Sequence, residues 1–158
     1  MHTTAAPAVI HSTFVLERSY AATPERVFAA FADPATKRRW FIDAGGNQVE
    51  HYELDFRVGG KESGRFCHGV PPHGIVCTDD TRYLNIVPNR RLVFASTMAV
   101  GEQCISASLS TVELLPSATG TDLVLTNQCA FFEGADGPAI REQGWATLLD
   151  RLARELAR

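Results

Sequence analysis

The sequence predicts an α+β domain: a curved antiparallel sheet wrapped around one long C-terminal helix, with two short helices after the first strand. Three observations predict it. The middle of the chain alternates apolar and polar residues over several runs separated by short turns. The last twenty or so residues carry a single apolar stripe at helical spacing. Between the first strand and that middle region stand two helix-start signals, Thr23-Pro24-Glu25 and Asp33-Pro34.

Phe14 to Tyr20 reads as the first strand. Thr23 can cap the helix that follows, Pro24 suits its first position, and Glu25 favours its positive end. Val27, Phe28 and Phe31 give this helix an apolar face. Asp33-Pro34 begins the second, which ends near Trp40-Phe41 and is closed by Gly45-Gly46. Tyr52, Leu54, Phe56 and Val58 alternate with Glu53, Asp55 and Arg57, and Gly59-Gly60 makes the next turn. Further strands are expected around Arg65 to His68, from Ile75 to Val87, Leu92 to Val100, Cys104 to Leu115 and Thr121 to Phe132.

Gly137-Pro138 starts the last helix, and Trp145, Leu148, Leu149, Leu152 and Leu156 form its stripe. Arg141 and Glu142 read with the charged residues of the opposite side. Gly144 costs about 1 kcal/mol inside a helix, so either another backbone approaches it closely or it is a tolerated defect. The expected organisation is a flexible arm over residues 1–12 and a single domain over residues 13–158.

The 158 residues suffice to bury a sizeable core without a metal or disulfide staple. A 45% hydrophobic and 21% charged composition excludes a disordered or fibrous chain. A net charge of −3 gives no basic excess for nucleic acid. No apolar run approaches the ~18 residues of a membrane span, and no Lys or Arg precedes the short apolar stretch Ala5 to Ile10, so no signal peptide is expected. Cys67, Cys77, Cys104 and Cys129 are scattered, which fits small buried hydrophobes in a reducing, cytoplasmic setting.

Four stretches in order carry a family resemblance. They are Thr23 to Phe28 with Phe31 to Pro34 and Trp40-Phe41; Asp55 to Gly60; Tyr83 to Phe94, reading YLNIVPNRRLVF; and Gly120 to Thr126 followed by Gly144-Trp145 and Leu148 to Leu152. Together they resemble the START-like, or SRPBCC, superfamily, and within it the activator of Hsp-ninety ATPase homologue (AHSA-type) domain. The resemblance implies the helix-grip (START-like, birch-pollen-allergen-like) fold with a cavity between sheet and long helix. It implies an apolar or amphipathic small ligand there. Some relatives do chemistry in that cavity, and the family namesake stimulates a chaperone's ATPase.

Strand alternation then assigns the expected lining. Val112 and Leu114 inward places Ser110, Ser108, Ser106 and Cys104 inward as well, and Leu123, Leu125, Asn127 and Cys129 follow the same rule. Leu54 and Phe56 point in with Tyr52. Phe94 and Tyr83 join the lining from the central hairpin, and Trp145 and Leu149 from the helix. The forecast is an apolar pocket with a polar strip of Ser106, Ser108 and Asn127, the composition of a small-ligand site. The same groups could equally bond only to one another. An amide at Asn127, where relatives often carry a carboxylate, argues against a general base there. Trp40 and Phe41 either stack on a ligand at the mouth or plug the end of the core, and the plug is favoured.

Other chemistry is sparse. Cys67, His68, His73 and Cys77 flank one turn, but Cys67 and His68 are adjacent on a strand and point to opposite faces, so no metal site is expected. No third group supports a Cys67–His73 nucleophile. No Gly-x-Ser-x-Gly elbow, phosphate loop or dinucleotide fingerprint is present, so no cofactor is expected. His51, Glu53, His68, Tyr83 and Glu142 are the acid–base candidates, with Glu53 facing out. Lys37-Arg38-Arg39 and Arg90-Arg91 read as solvated faces, diluted by Asp79 and Asp80. The expected partner is a small apolar ligand. The alternatives are a cyclase, dehydratase or hydrolase using the same cavity, or a chaperone-type protein partner; nothing in the pattern excludes a homodimer.

Overall fold

The structure, a computed structural model, describes residues 8–46, 48–68 and 74–158. Seven antiparallel strands form one sheet in the order β1-β7-β6-β5-β4-β3-β2. The strands are β1 (Ile10–Tyr20), β2 (Gln48–Leu54), β3 (Lys61–His68), β4 (Ile75–Val87), β5 (Arg91–Val100), β6 (Gln103–Ser117) and β7 (Gly120–Phe131). The helices are α1 (Pro24–Ala32), α2 (Pro34–Phe41) and α3 (Pro138–Leu156). β2 to β7 form a meander, and β1 returns to pair with β7. No helix is long and apolar enough to cross a membrane among the described residues.

The helix starts form as the cap chemistry requires. Thr23 accepts a hydrogen bond from the Arg26 amide, and Asp33 closes α1 and caps α2 by accepting from the Thr36 amide. One residue thus ends one helix and begins the next, fixing the bend between them. β1 starts at Ile10, three residues inside the stretch expected to be an arm, because the β7 strand beside it runs to Phe131 and offers partners that far.

The core lies between α1, α2, α3 and the concave sheet face. Leu92, Val112, Leu123, Leu125, Leu149 and Leu152 are sealed within it, with Val27 and Phe31 from α1. Burying one such side chain contributes about 1.5–3 kcal/mol. Tyr20 ties β1 to α3 by donating its hydroxyl to the Leu149 carbonyl at 2.9 Å, and burial pushes its pKa well above the ordinary phenol value.

Several local expectations change. β2 stops at Leu54, so Val58 sits in the following turn and is exposed. At Gly60 a Cβ would run into the carbonyl oxygens of Asp55 and Arg57, which explains the glycine. Cys104 is exposed rather than inward, because the register shifts between Met98 and Ala99 and flips the start of β6. Ile105 is buried there instead. A methyl group on Gly144 would meet nothing within 4 Å, so no backbone approaches it. Gly144→Ala is therefore expected to raise stability by about 1 kcal/mol, read as an upward shift of the thermal midpoint. A destabilised variant would mean that α3 is not regular there.

Candidate functional site

Three polar side chains that the sequence pattern places outside face inward. Lys37 belongs to a basic run expected to be solvated, yet it is 2% exposed. It precedes Trp40 and Phe41 by three and four residues, which puts it on their side of α2. Its ammonium lies 4.4 Å from the Phe41 ring centroid and about as close to Phe31 and Trp40, at 5.5 and 5.6 Å. Its charge meets Glu62 of β3 at 3.0–3.1 Å.

Glu62 is surrounded. Tyr52 donates to one carboxylate oxygen at 2.6 Å, and Tyr83 donates to the other at 2.8 Å. Burial and the adjacent Glu62 charge raise both phenols far above their ordinary range, so they remain donors. With an ammonium and two hydroxyls on its oxygens, Glu62 is occupied as an acceptor. It holds α2, β2, β3 and β4 together rather than standing ready for a ligand.

Asp79 of β4 differs. Its strand neighbours on the same face are Cys77, Thr81 and Tyr83, so it points to the concave side, not to solvent with Asp80. Its paired residue on β3 is Gly64, which has no side chain to cover it. Thr81 donates to it at 3.3 Å and shares a 2.7 Å hydrogen bond with Ser96 of β5. Burial first, then the nearby Glu62 charge, raises its pKa to about 6, against smaller downward pulls from the Thr81 bond, Lys37 and Arg141.

Arg141 of α3 also departs from its expected solvated face. It lies four residues before Trp145, on the sheet side. Its guanidinium makes two bonds to Asp136 at 2.8 and 2.9 Å, donates to Ser106 at 2.9 Å, and covers the Phe131 ring at 5.2 Å. Ser106 is thereby held by Arg141, and Asn127 donates to Ser110 at 2.8 Å. The Asn127 carbonyl oxygen is buried and has no hydrogen-bond partner among the described residues.

The concave face is unevenly covered. Around Leu92, Val112 and Leu125 it is sealed. Toward α3's N-terminal half, Asp79, Ser96, Met98, Ser108 and Trp145 face inward and yet stay half-buried. Phe94 contacts Trp145 at 6.4 Å and Tyr83 at 5.7 Å, closing the apolar side. Leu54 and Phe56 are half-buried against the core, Phe56 stacking edge-on with Tyr83 at 5.1 Å. Leu149 is buried beneath α3. Trp40 is 1% exposed and donates its indole N–H to the Ala30 carbonyl at 2.9 Å, so it plugs the core. Phe41, half-buried, bridges Trp40 and Trp145.

Of the remaining candidates, His51 and Glu53 are exposed on β2, 3.8 Å apart, and Glu142 is exposed on α3. The His68 side chain and His73 lie outside the described residues. No cluster of metal-ligating side chains occurs among the described residues. Lys37 and Asp79 carried a usable signal: each stands at helical or period-two spacing from an aromatic residue already read as part of the core or lining, whereas Glu62 lies before the strand expected around Arg65 to His68 and carried none.

The comparisons agree with this architecture. A family model described as activator of Hsp90 ATPase homolog 1-like protein matches residues 21–157. The crystal structure of the Mll3558 protein from Rhizobium loti shares 50% identity, over 94% of this chain and 99% of that one, with a TM-score of 0.85. An uncharacterized protein from Rhizobium leguminosarum shares 39% identity, over 95% and 97% of the two chains, with a TM-score of 0.88. The AHSA1-like protein from Aeromonas hydrophila, at 20% identity over 92% of each chain and a TM-score of 0.68, shares the fold. No curated protein matches the chain at a significant level. With its curved seven-stranded sheet, its C-terminal helix and a family match across most of its length, the chain belongs to the AHSA1-like family of helix-grip, or SRPBCC, proteins.

Proposed function

We propose that the protein binds a small amphipathic molecule in the cleft between the concave sheet face and the N-terminal half of α3. The observation that carries this reading is the set of inward-facing residues that remain half-buried: Asp79, Ser96, Met98, Ser108 and Trp145. In a filled core, side chains on the inner face would be sealed, as Leu92 and Val112 are. Apolar walls from Phe94, Met98 and Trp145 with a few placed polar groups suit a ligand with an apolar body and a hydrogen-bonding end. The unpartnered oxygen of Asn127 offers one further acceptor toward a donor on the ligand or a water.

Asp79 supports a second reading, proton transfer on the bound molecule. A carboxyl with a pKa near 6 is present in both protonation states at neutral pH. In that reading Asp79→Asn keeps binding and loses turnover.

Native mass spectrometry of the purified protein, followed by denaturing extraction, tests the binding reading directly. The expected result is a co-purifying small molecule, or saturable binding of the fluorescent probe anilinonaphthalene sulfonate displaced by extracted metabolites. Ser108→Phe, which puts a ring into the cleft, is expected to weaken that binding at least tenfold while the protein stays folded. Unchanged affinity in a folded Ser108→Phe variant would remove the cleft from consideration.

A further inference from the structure

A second groove lies away from the concave face, between the C-terminal end of α2 with the turn Asp43–Gly45 and the last two turns of α3. It encloses about 430 Å³ and is lined by Arg39, Trp40, Asp43 and Ala44 on one side, and by Arg151, Arg154, Glu155 and Arg158 on the other. Four arginines thus line one open groove in a chain whose net charge is −3.

The arginines fall into two sets. Arg39 donates through Nε and one terminal nitrogen to Glu155, and that terminal nitrogen also meets Thr36. Arg158 meets the other Glu155 oxygen at 3.5 Å. The Glu155 side chain is only 10% exposed and so forms the floor, while Arg39 and Arg158 stand 45% and 66% exposed above it. Bonds to Arg39 hold the Glu155 carboxyl below the usual carboxylate range, so this floor stays charged and keeps Arg39 oriented. Arg38 answers Asp43 at 3.2 Å. Arg151 and Arg154 have no hydrogen-bond or ion-pair partner among the described residues.

Two unanswered cations beside two oriented ones form an excess of positive charge. Arg151 and Arg154 stand three residues apart on the last turns of α3, and Arg158 follows just past the end of the helix. Guanidiniums bind phosphate oxygens through paired N–H donors, and they do so better than a point charge. Guanidiniums spread along two turns suit an anion with more than one charged group. Trp40 is sealed beneath the groove, so its indole is not open to a ligand body.

From this geometry we infer that the groove between α2 and α3 is a binding site for a compact polyanion of the phosphate-ester or diphosphate type, held by Arg151 and Arg154 with Arg39 and Arg158. It is separate from the cleft proposed above and does not depend on it.

The test is calorimetric titration with inorganic pyrophosphate at low ionic strength, on the intact chain and on Arg151→Gln/Arg154→Gln. Arg154 is exposed and Arg151 half-buried, and neither holds a partner among the described residues, so the thermal midpoint of the variant is expected to match the parent. The expected result is saturable binding that weakens at least tenfold in the variant and falls with added salt. The control Arg90→Gln/Arg91→Gln makes the same change of net charge at the β4–β5 turn and is expected to leave binding within twofold. Absence of saturable binding, or equal weakening in the control, would overturn the site. Binding of a poly-glutamate peptide without binding of pyrophosphate would overturn the small-anion assignment in favour of an acidic protein segment.

Discussion

Lys37→Met is expected to destabilise the protein by about 3–5 kcal/mol, the cost of leaving a buried charge without its partner. Methionine keeps most of the apolar stem that packs among Phe31, Trp40 and Phe41, so the loss comes from Glu62 and not from a cavity. Glu62 would keep its two tyrosine donors, but two neutral hydroxyls do not replace an ammonium 3.0 Å away. Adding Glu62→Gln to Lys37→Met removes the stranded charge and still offers Tyr52 or Tyr83 an acceptor. More than half of the loss is expected to return in the double variant, read from urea unfolding midpoints. If Lys37→Met alone does not fold, recovery in the double variant still reports the coupling. A Lys37→Met protein within 1 kcal/mol of the parent would show that the pair is not buried in solution.

The network also shows where the sequence was readable and where it was not. The meander, α1, α2 and α3 followed from periodicity and caps, because those are local properties: Thr23 and Asp33 cap the helices they were expected to cap. The inward faces of β6 and β7 followed from alternation until a bulge intervened, and Cys104 marks the place where it failed. Trp40 as a plug was legible from its place at the helix end. Lys37 and Arg141 escape a reading by charge for a different reason. A charged residue is read as exposed unless its surroundings are known: the partner of Lys37, Glu62 on β3, lies 25 residues away, and Arg141, paired with Asp136 close by in sequence, also reaches Ser106 on β6, 35 residues away. Asp79 is hidden by its neighbour Asp80, although its spacing from Tyr83 already places it on the inner face. Charge outweighed position in each case, and only the tertiary pairing reverses that order.

Asp79→Asn is expected to stabilise the protein by about 2 kcal/mol at pH 7.5 and by little at pH 4, where the parent carboxyl is protonated anyway. The folded-state pKa, about 6, lies above the unfolded value. Such a group contributes stability that is fully present below the unfolded pKa and is lost as pH rises through the folded one. The groups facing Asp79 from its surroundings are Glu62 of β3, Lys37 of α2 and Arg141 of α3, with Thr81 beside it on β4. Glu62 repels its charge, while the two cations soften that repulsion but are already engaged by Glu62 and Asp136. Asparagine keeps an oxygen to accept from Thr81 and carries no charge to desolvate. Urea midpoints at the two pH values check the effect, and an equal gain at both would show that the cost is steric and not ionic. The ionised carboxylate thus weakens the fold at neutral pH while staying half-buried on the inner sheet face, where the proposed cleft lies. A side chain that costs stability where a ligand would sit is expected to act on that ligand. The same Asn variant, more stable at pH 7.5, should therefore bind or convert the cleft's ligand less well. A variant that gains stability and keeps both ligand binding and turnover unchanged would reduce Asp79 to a structural defect.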